Sequence, residues 1–292
     1  MAIKAGQLKE RADYQAYILE MLREENGYQV RPSTAYDPGY GMDVELLFSF
    51  LQATQPDALA RLEKLYGDKT RQTILNYINN EVNKKNRSLL DVLKHGVEFD
   101  NGVSLTLMYR KPATTFNQKA EALYQQNVLS VMEEVWHKDG ERIELVIFLN
   151  GIAIFTFELK CNTSGQNYED AIRQYKFERD YKTRLLKFKA GCLAHFAMDL
   201  NEVYMCTNLK GKSSFFLPFN KGCGVGIHSG KVSLDGHEYF LCPFYTETFL
   251  NETITPSDIR AVEAQVDQYN FLDIDDIEEF NGYLYQDKRT SK

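Results

Sequence analysis

No stretch of this sequence approaches the roughly 18 to 20 consecutive apolar residues needed to cross a bilayer. Its first residues, MAIKAGQLKERADYQAY, also lack the apolar run of a signal peptide. The reading is a soluble, cytoplasmic protein without membrane contact. The five cysteines, Cys161, Cys192, Cys206, Cys223 and Cys242, contain no CxxC pair, which excludes the usual zinc and dithiol frameworks. They are expected to be buried thiols. The five histidines form neither HExxH nor HxH, so transition-metal enzymology is not expected. Overall positive charge is lacking too: the net charge is −7, and any contact with nucleic acid must therefore be local. Internal repeats and low-complexity tracts are absent. What is present is a globular composition, 43% hydrophobic over 292 residues, enough to fill one large core or two smaller ones.

Periodicity divides the chain. Over residues 10–25, Tyr14, Tyr17, Ile18, Met21 and Leu22 recur at helical spacing, and Asn26-Gly27 supplies a stop. Residues 43–55, ended by Pro56, and 57–86 continue in helical style. At 97 the period shortens: VEFDNGVSLTLMYR alternates about Asp100, Asn101 and Gly102 and predicts a hairpin. Residues 117–136 carry Ala120, Leu123, Tyr124, Val128, Val131 and Val135 in a helix-like pattern. An apolar hairpin over 143–160 comes next, then a helix over 167–186 and short apolar runs at 193–198, 203–207 and 214–219. Helices alternating with strands predict an α/β core, a central mixed sheet flanked by helices. The expected organisation is a mainly helical N-terminal region over 1–95, the core over 96–245, and an acidic helical tail or junction over 246–292.

The chemistry concentrates in IELVIFLNGIAIFTFELK, residues 143–160. Alternation puts Glu144 with Val146 and Phe148 on one face, and Glu158 with Lys160 on one face of the returning strand. Asn150-Gly151 marks the turn. A two-residue turn would pair Glu144 with Phe157; a three-residue connection over 150–152, with Gly151 left-handed, would pair Glu144 with Glu158. The longer turn is expected. Directly opposed residues have Cβ atoms ~4.5 to 5.5 Å apart. Two carboxylates so placed can share one cation and are too close to stay ionised comfortably without it. The pattern thus suggests a divalent metal on Glu144 and Glu158. Mg²⁺, with Mn²⁺ as a substitute, prefers hard oxygens and is often held by one or two carboxylates plus phosphate. Lys160 would orient or help deprotonate a water, or neutralise charge building on phosphorus. This is phosphodiester hydrolysis chemistry. The competing reading of Glu-x-Lys is an exposed ion pair on a strand, worth ~0 to 1 kcal/mol.

Two further features bear on function. Residues 173–189 hold Arg173, Lys176, Arg179, Lys182, Arg184, Lys187 and Lys189 against only Glu178 and Asp180, which suits a phosphate-tracking surface, with Arg173 through Arg184 as its DNA-binding candidates. "GKSS" at 211–214 is no phosphate-binding loop, because GxxxxGK[ST] would need Gly where Cys206 stands.

These motifs together resemble a known family. LLDVLKHGVEFDNGVSLTLMYRKP (89–112), YQQNVLSV (124–131), LNG through ELK (149–160), GQNYEDAIRQYKFERD (165–180) and CLAHFAMDLNEVYMCTNLKGKSSFFLPFNKG (192–222) are similar to the amino-terminal nuclease region of the restriction (R) subunit of type I restriction-modification enzymes, in the PD-(D/E)XK superfamily. The resemblance implies a Mg²⁺-dependent endonuclease, a type I site-specific deoxyribonuclease, acting on duplex DNA. In that family sequence choice comes from the specificity subunit and methylation from the modification subunit. Cutting follows translocation driven by ATP on motor domains of the same subunit, which this chain does not contain; it reads as the nuclease piece alone. The family's acidic ligand before the hairpin falls on Glu144, where Asp is usual, and its ELK acid and lysine fall on Glu158 and Lys160. A helical acid of the family aligns with neutral Gln15, while Glu20 lies further along. Gln174 matches the Gln of the Gln-x-x-x-Tyr motif in related RecB-like nucleases, with Glu178 where Tyr would stand, and would position water or phosphate. These departures leave a second reading, a catalytically inactive nuclease-fold module that binds DNA or partner subunits.

Overall fold

The computed structural model describes residues 11–113, 116–161 and 165–219, with backbone alone at 11–13 and in the strands Lys231–Leu234 and His237–Phe240. The tail expected over 246–292 lies outside the described residues. The chain separates into two units, residues 1–220 and 221–292, so the last part of the core expected to reach 245 falls in the second unit.

Helices open the first unit: α1 (Arg11–Glu24), α2 (Val44–Thr54), α3 (Pro56–Tyr66), α4 (Thr70–Asn83) and α5 (Leu89–His95). Their starts are chemically specified. Asp43 accepts the Leu46 amide at the head of α2, Pro56 stands at the start of α3, and Ser88 accepts the Asp91 amide in α5. Their apolar stripes, including Leu47, Leu51, Leu62, Ile74, Ile78 and Val92, are buried against Leu145, Ile147 and Ile152 of the sheet. No helix among the described residues is long and apolar enough to cross a membrane.

The strands are β1 (Gln29–Val30), β2 (Tyr36–Asp37), β3 (Met42–Asp43), β4 (Val97–Glu98), β5 (Ser104–Leu105), β6 (Leu129–Lys138), β7 (Glu141–Leu149), β8 (Ile152–Leu159), β9 (Ala194–Met198), β10 (Val203–Cys206) and β11 (Leu217–Pro218). β4 and β5 form the expected hairpin about residues 100–102. The main sheet runs β1-β6-β7-β8-β9-β10-β11, with β3 joining β8 beside the turn. It is mixed: β1 is parallel to β6 and β9 to β8, while the other pairs are antiparallel. Its second face packs Val146, Phe148 and Ala153 against Leu185, Leu186, and Ala171 and Tyr175 of α7 (Tyr168–Phe177).

Two expectations need correction. Only the start of 117–136 is helical, as α6 (Gln118–Tyr124); the rest is the long strand β6. Glu134 takes a positive φ of 53°, and this irregularity sends Val131 and Val135 into different apolar clusters. Their four-residue spacing imitates a helix stripe. The helix expected over 167–186 also stops early, at Phe177. Beyond it the backbone turns: Asp180 accepts the Lys182 amide at 3.0 Å, and Leu185 O takes the Cys192 amide at 2.8 Å.

Candidate active site

The connection between β7 and β8 is shorter than expected, yet the two glutamates still meet. Leu149 pairs with Ile152, so the turn is two residues, with φ of 52° at Asn150 and 82° at Gly151. Positive φ at both positions is the geometry that Asn-Gly favours in tight hairpins. A Cβ on Gly151 would lie 2.4 Å from Asp43 O and 2.6 Å from Leu47 N, so no other residue fits there. The register then shifts within β8: Phe148 pairs with Ala153, but Ile147 pairs with Phe155, leaving Ile154 as an extra, bulged residue. Leu145 consequently pairs with Phe157, the last pair of the ladder, and Glu144 and Glu158 follow at its end. The one-residue shift that the sequence assigns to a longer turn comes instead from a bulge at Ile154.

The cluster is deeply buried: Glu144 and Lys160 are 1% exposed and Glu158 is 0%. An exposed strand ion pair is therefore ruled out. Glu144 accepts the Leu159 amide at 2.6 Å and Lys160 Nζ at 3.0 Å, and Lys160 also donates to Leu159 O at 3.1 Å. Glu158 Oε1 accepts Arg179 Nε at 2.7 Å, while its Oε2 is buried without a partner. Burial first, and the neighbouring Glu144 second, push the Glu158 carboxyl up to about 7 against the pull of Arg179 and Lys160.

Other residues join this end of the sheet. Gln15 on α1 donates to Glu133 Oε2 at 3.1 Å and to Glu144 O at 3.3 Å, so the amide standing where the family has an acid does reach the carboxylates' strand. Glu20 is exposed further along α1. Gln174 lies half-buried on α7 with its Oε1 buried and unpartnered, and Glu178 is exposed. Behind Glu158 on the same strand face, Thr156 Oγ1 meets Tyr175 OH at 2.9 Å and His195 Nδ1 at 2.8 Å. Burial lowers the His195 pKa to about 3, which keeps the ring neutral. Sequence reasoning missed this trio, since lone Thr, Tyr and His residues carry no spacing signal.

The basic candidates scatter. Arg173 and Lys182 are exposed and Lys176 is half-buried. Arg179 is 12% exposed and turned onto Glu158, and Arg184 donates to Ala190 O with its Nε buried. Arg179 and Arg184 thus serve buried contacts rather than an open phosphate-tracking face.

The donor set fits a hard divalent cation in one respect, the unpartnered buried oxygen of Glu158 beside a second carboxylate. Among the described residues no group of three or more His, Cys, Asp or Glu is placed to hold a metal, so a cation here would rest on Glu144 and Glu158, with water or phosphate completing its shell. A surface cleft of about 680 Å³ among α2, α3 and α4, lined in part by Glu45, Phe48 and Arg71, contains none of these residues.

A mixed sheet covered by helices on both faces, with paired acids and a lysine at the open end of its central hairpin, has the architecture of a PD-(D/E)XK nuclease core. The chain belongs to the family of type I restriction enzyme R protein N termini, whose model matches residues 7–214. It corresponds to the N-terminal region of such an R subunit. No curated protein matches the chain.

Proposed function

We propose that the chain is the Mg²⁺-dependent endonuclease domain of a type I restriction enzyme R subunit, hydrolysing phosphodiester bonds of duplex DNA. In the complete enzyme it works with the specificity and modification subunits and with ATP-driven motor domains. The observation that carries this reading is the buried Glu158 carboxylate, with one oxygen unpartnered, close enough to Glu144 and Lys160 to feel both charges. Glu144 and Glu158 would hold the metal, with Mn²⁺ as a substitute. When bound, Mg²⁺ supplies Lewis-acid stabilisation of the phosphate and lowers the pKa of water. Lys160, already fixed by Glu144 and Leu159 O, presents a positive charge where charge builds on phosphorus. Gln174 Oε1 can accept a hydrogen bond from an attacking water. With Mg²⁺, the parent protein should cleave plasmid DNA. Glu158→Ala and Lys160→Ala should each slow cleavage at least ~10³-fold, about 4 kcal/mol of barrier, with circular dichroism unchanged. Cleavage by both variants at the parent rate would overturn the assignment.

A second reading has its own support. Arg179 and Lys160 already neutralise Glu158 and Glu144 as two buried ion pairs. A nuclease fold that has lost its chemistry, and serves to bind DNA or partner subunits, would keep such pairs permanently. It would then show DNA binding without metal uptake.

A further inference from the structure

The structure brings together two basic segments, joined by a contact between residues 104 apart in sequence. The loop after α4 carries Lys84, Lys85 and Arg87, and the turn segment after α7 carries Lys187 and Lys189. Lys187 Nζ donates to Asn83 Oδ1 at 3.0 Å, and the Leu89 amide donates to Lys189 O at 2.6 Å, locking the segments side by side. Lys84, Lys85, Lys187 and Lys189 are exposed. Glu81 binds both Lys84 and Arg87, and Asp91 is taken by the Ser88 hydroxyl at 2.6 Å, so five cations face two engaged carboxylates in a chain of net charge −7. Lys189 holds a φ of 66°, a left-handed conformation that costs a non-glycine residue roughly 1 kcal/mol. Between the two lysines, Phe188 is 46% exposed with the Lys189 ammonium 5.9 Å from its ring.

We propose that Lys84, Lys85, Arg87, Lys187 and Lys189 form a docking surface for the phosphate backbone of duplex DNA, outside the carboxylate cluster. It deepens the nuclease reading and rests on it only for the choice of DNA as ligand. Charge selects that ligand: a cluster of exposed cations in a chain of net charge −7 suits a polyanion, and at most ~29 Å of chain separates Lys187 from Arg179, which holds Glu158.

The test is fluorescence anisotropy of a labelled duplex with the full chain in EDTA, where no hydrolysis occurs, over a range of salt. Each phosphate contact contributes about 0.9 to the slope of log affinity against log salt. Lys85→Gln/Lys187→Gln/Lys189→Gln should lower that slope by about 2.7 and weaken binding at least tenfold at ~0.1 M salt. Lys64→Gln/Lys69→Gln/Lys119→Gln, which removes the same charge from exposed lysines elsewhere, should change it little. Lys85→Gln alone, at an exposed loop position, should lower the slope by about 0.9 without touching the Asn83 contact. Equal effects of the two triple variants, an unchanged slope in Lys85→Gln, or a parent that does not bind the duplex would each overturn the proposal. An acidic protein surface as the patch's partner belongs to those outcomes. Failure of the nuclease reading appears separately, as absent cleavage with Mg²⁺ while the slope change persists.

Discussion

The two ends of the β7–β8 hairpin both bury polar groups, and they treat them differently. At the turn, Asn150 is fully satisfied: its side chain donates to Leu107 O at 2.9 Å and to Asn127 Oδ1 at 3.0 Å, and accepts the Val128 amide at 2.7 Å. Nearby Asp43, also fully buried, caps α2 and takes Arg31 through two hydrogen bonds. At the open end, Glu158 is equally buried and also meets an arginine, but through one oxygen only. An unpartnered buried carboxylate oxygen costs stability, on the order of 1 to 3 kcal/mol or more. The turn end is built for stability. The open end keeps an acceptor in reserve, which is what a cation-binding site needs.

That contrast can be broken at either end. The largest effect is expected at the turn, where Gly151→Ala drives a Cβ into Asp43 O and Leu47 N at a left-handed φ. Urea denaturation should show a loss of roughly 4 kcal/mol or failure to fold. The next effect is at the open end and depends on pH. Because the folded pKa of Glu158, about 7, lies above its ordinary 4.5, its contribution to stability is fully present below about 4.5 and is lost as pH rises through about 7. Metal-free parent protein should lose at most roughly 3 kcal/mol across that window, and Glu158→Gln should lose little of it. The smallest effects compare the two arginines. Arg179→Ala leaves Glu158 without its ion-pair partner and should cost about 2 to 3 kcal/mol at pH 8. Arg31 is 30% exposed, and Asp43 keeps its α2 cap without it, so Arg31→Ala should cost about 1 kcal/mol. Equal costs would remove the distinction between the ends.

Much of this was legible in the sequence, for reasons particular residues make plain. Asn150-Gly151 announces a tight hairpin, and the spacing of Tyr14, Tyr17 and Ile18 announces α1. The one-residue shift that brings Leu145 to Phe157 comes from a bulge and not from the longer turn that the sequence suggests. A β-bulge such as that at Ile154 leaves no mark in an all-apolar strand, because either register buries the same kinds of side chain. β6 is obscured for a related reason: Val131 and Val135 have helical spacing, and the irregularity at Glu134 that sends them to different clusters leaves no mark in the sequence. The inward turn of Arg179 was not legible, because a basic run reads the same whether its members face solvent or a buried acid. The joined patch of Lys84–Arg87 and Lys187–Lys189 arises from tertiary contacts across 100 residues, which local pattern does not carry.

If Glu144 and Glu158 share one cation, as proposed, calorimetric titration of Mn²⁺ into the metal-free chain at pH 8 will show it. Single-site binding is expected, abolished by both Glu144→Ala and Glu158→Ala while circular dichroism stays unchanged. A folded parent that takes up no Mn²⁺, or a Glu158→Ala variant that binds as the parent does, would contradict it.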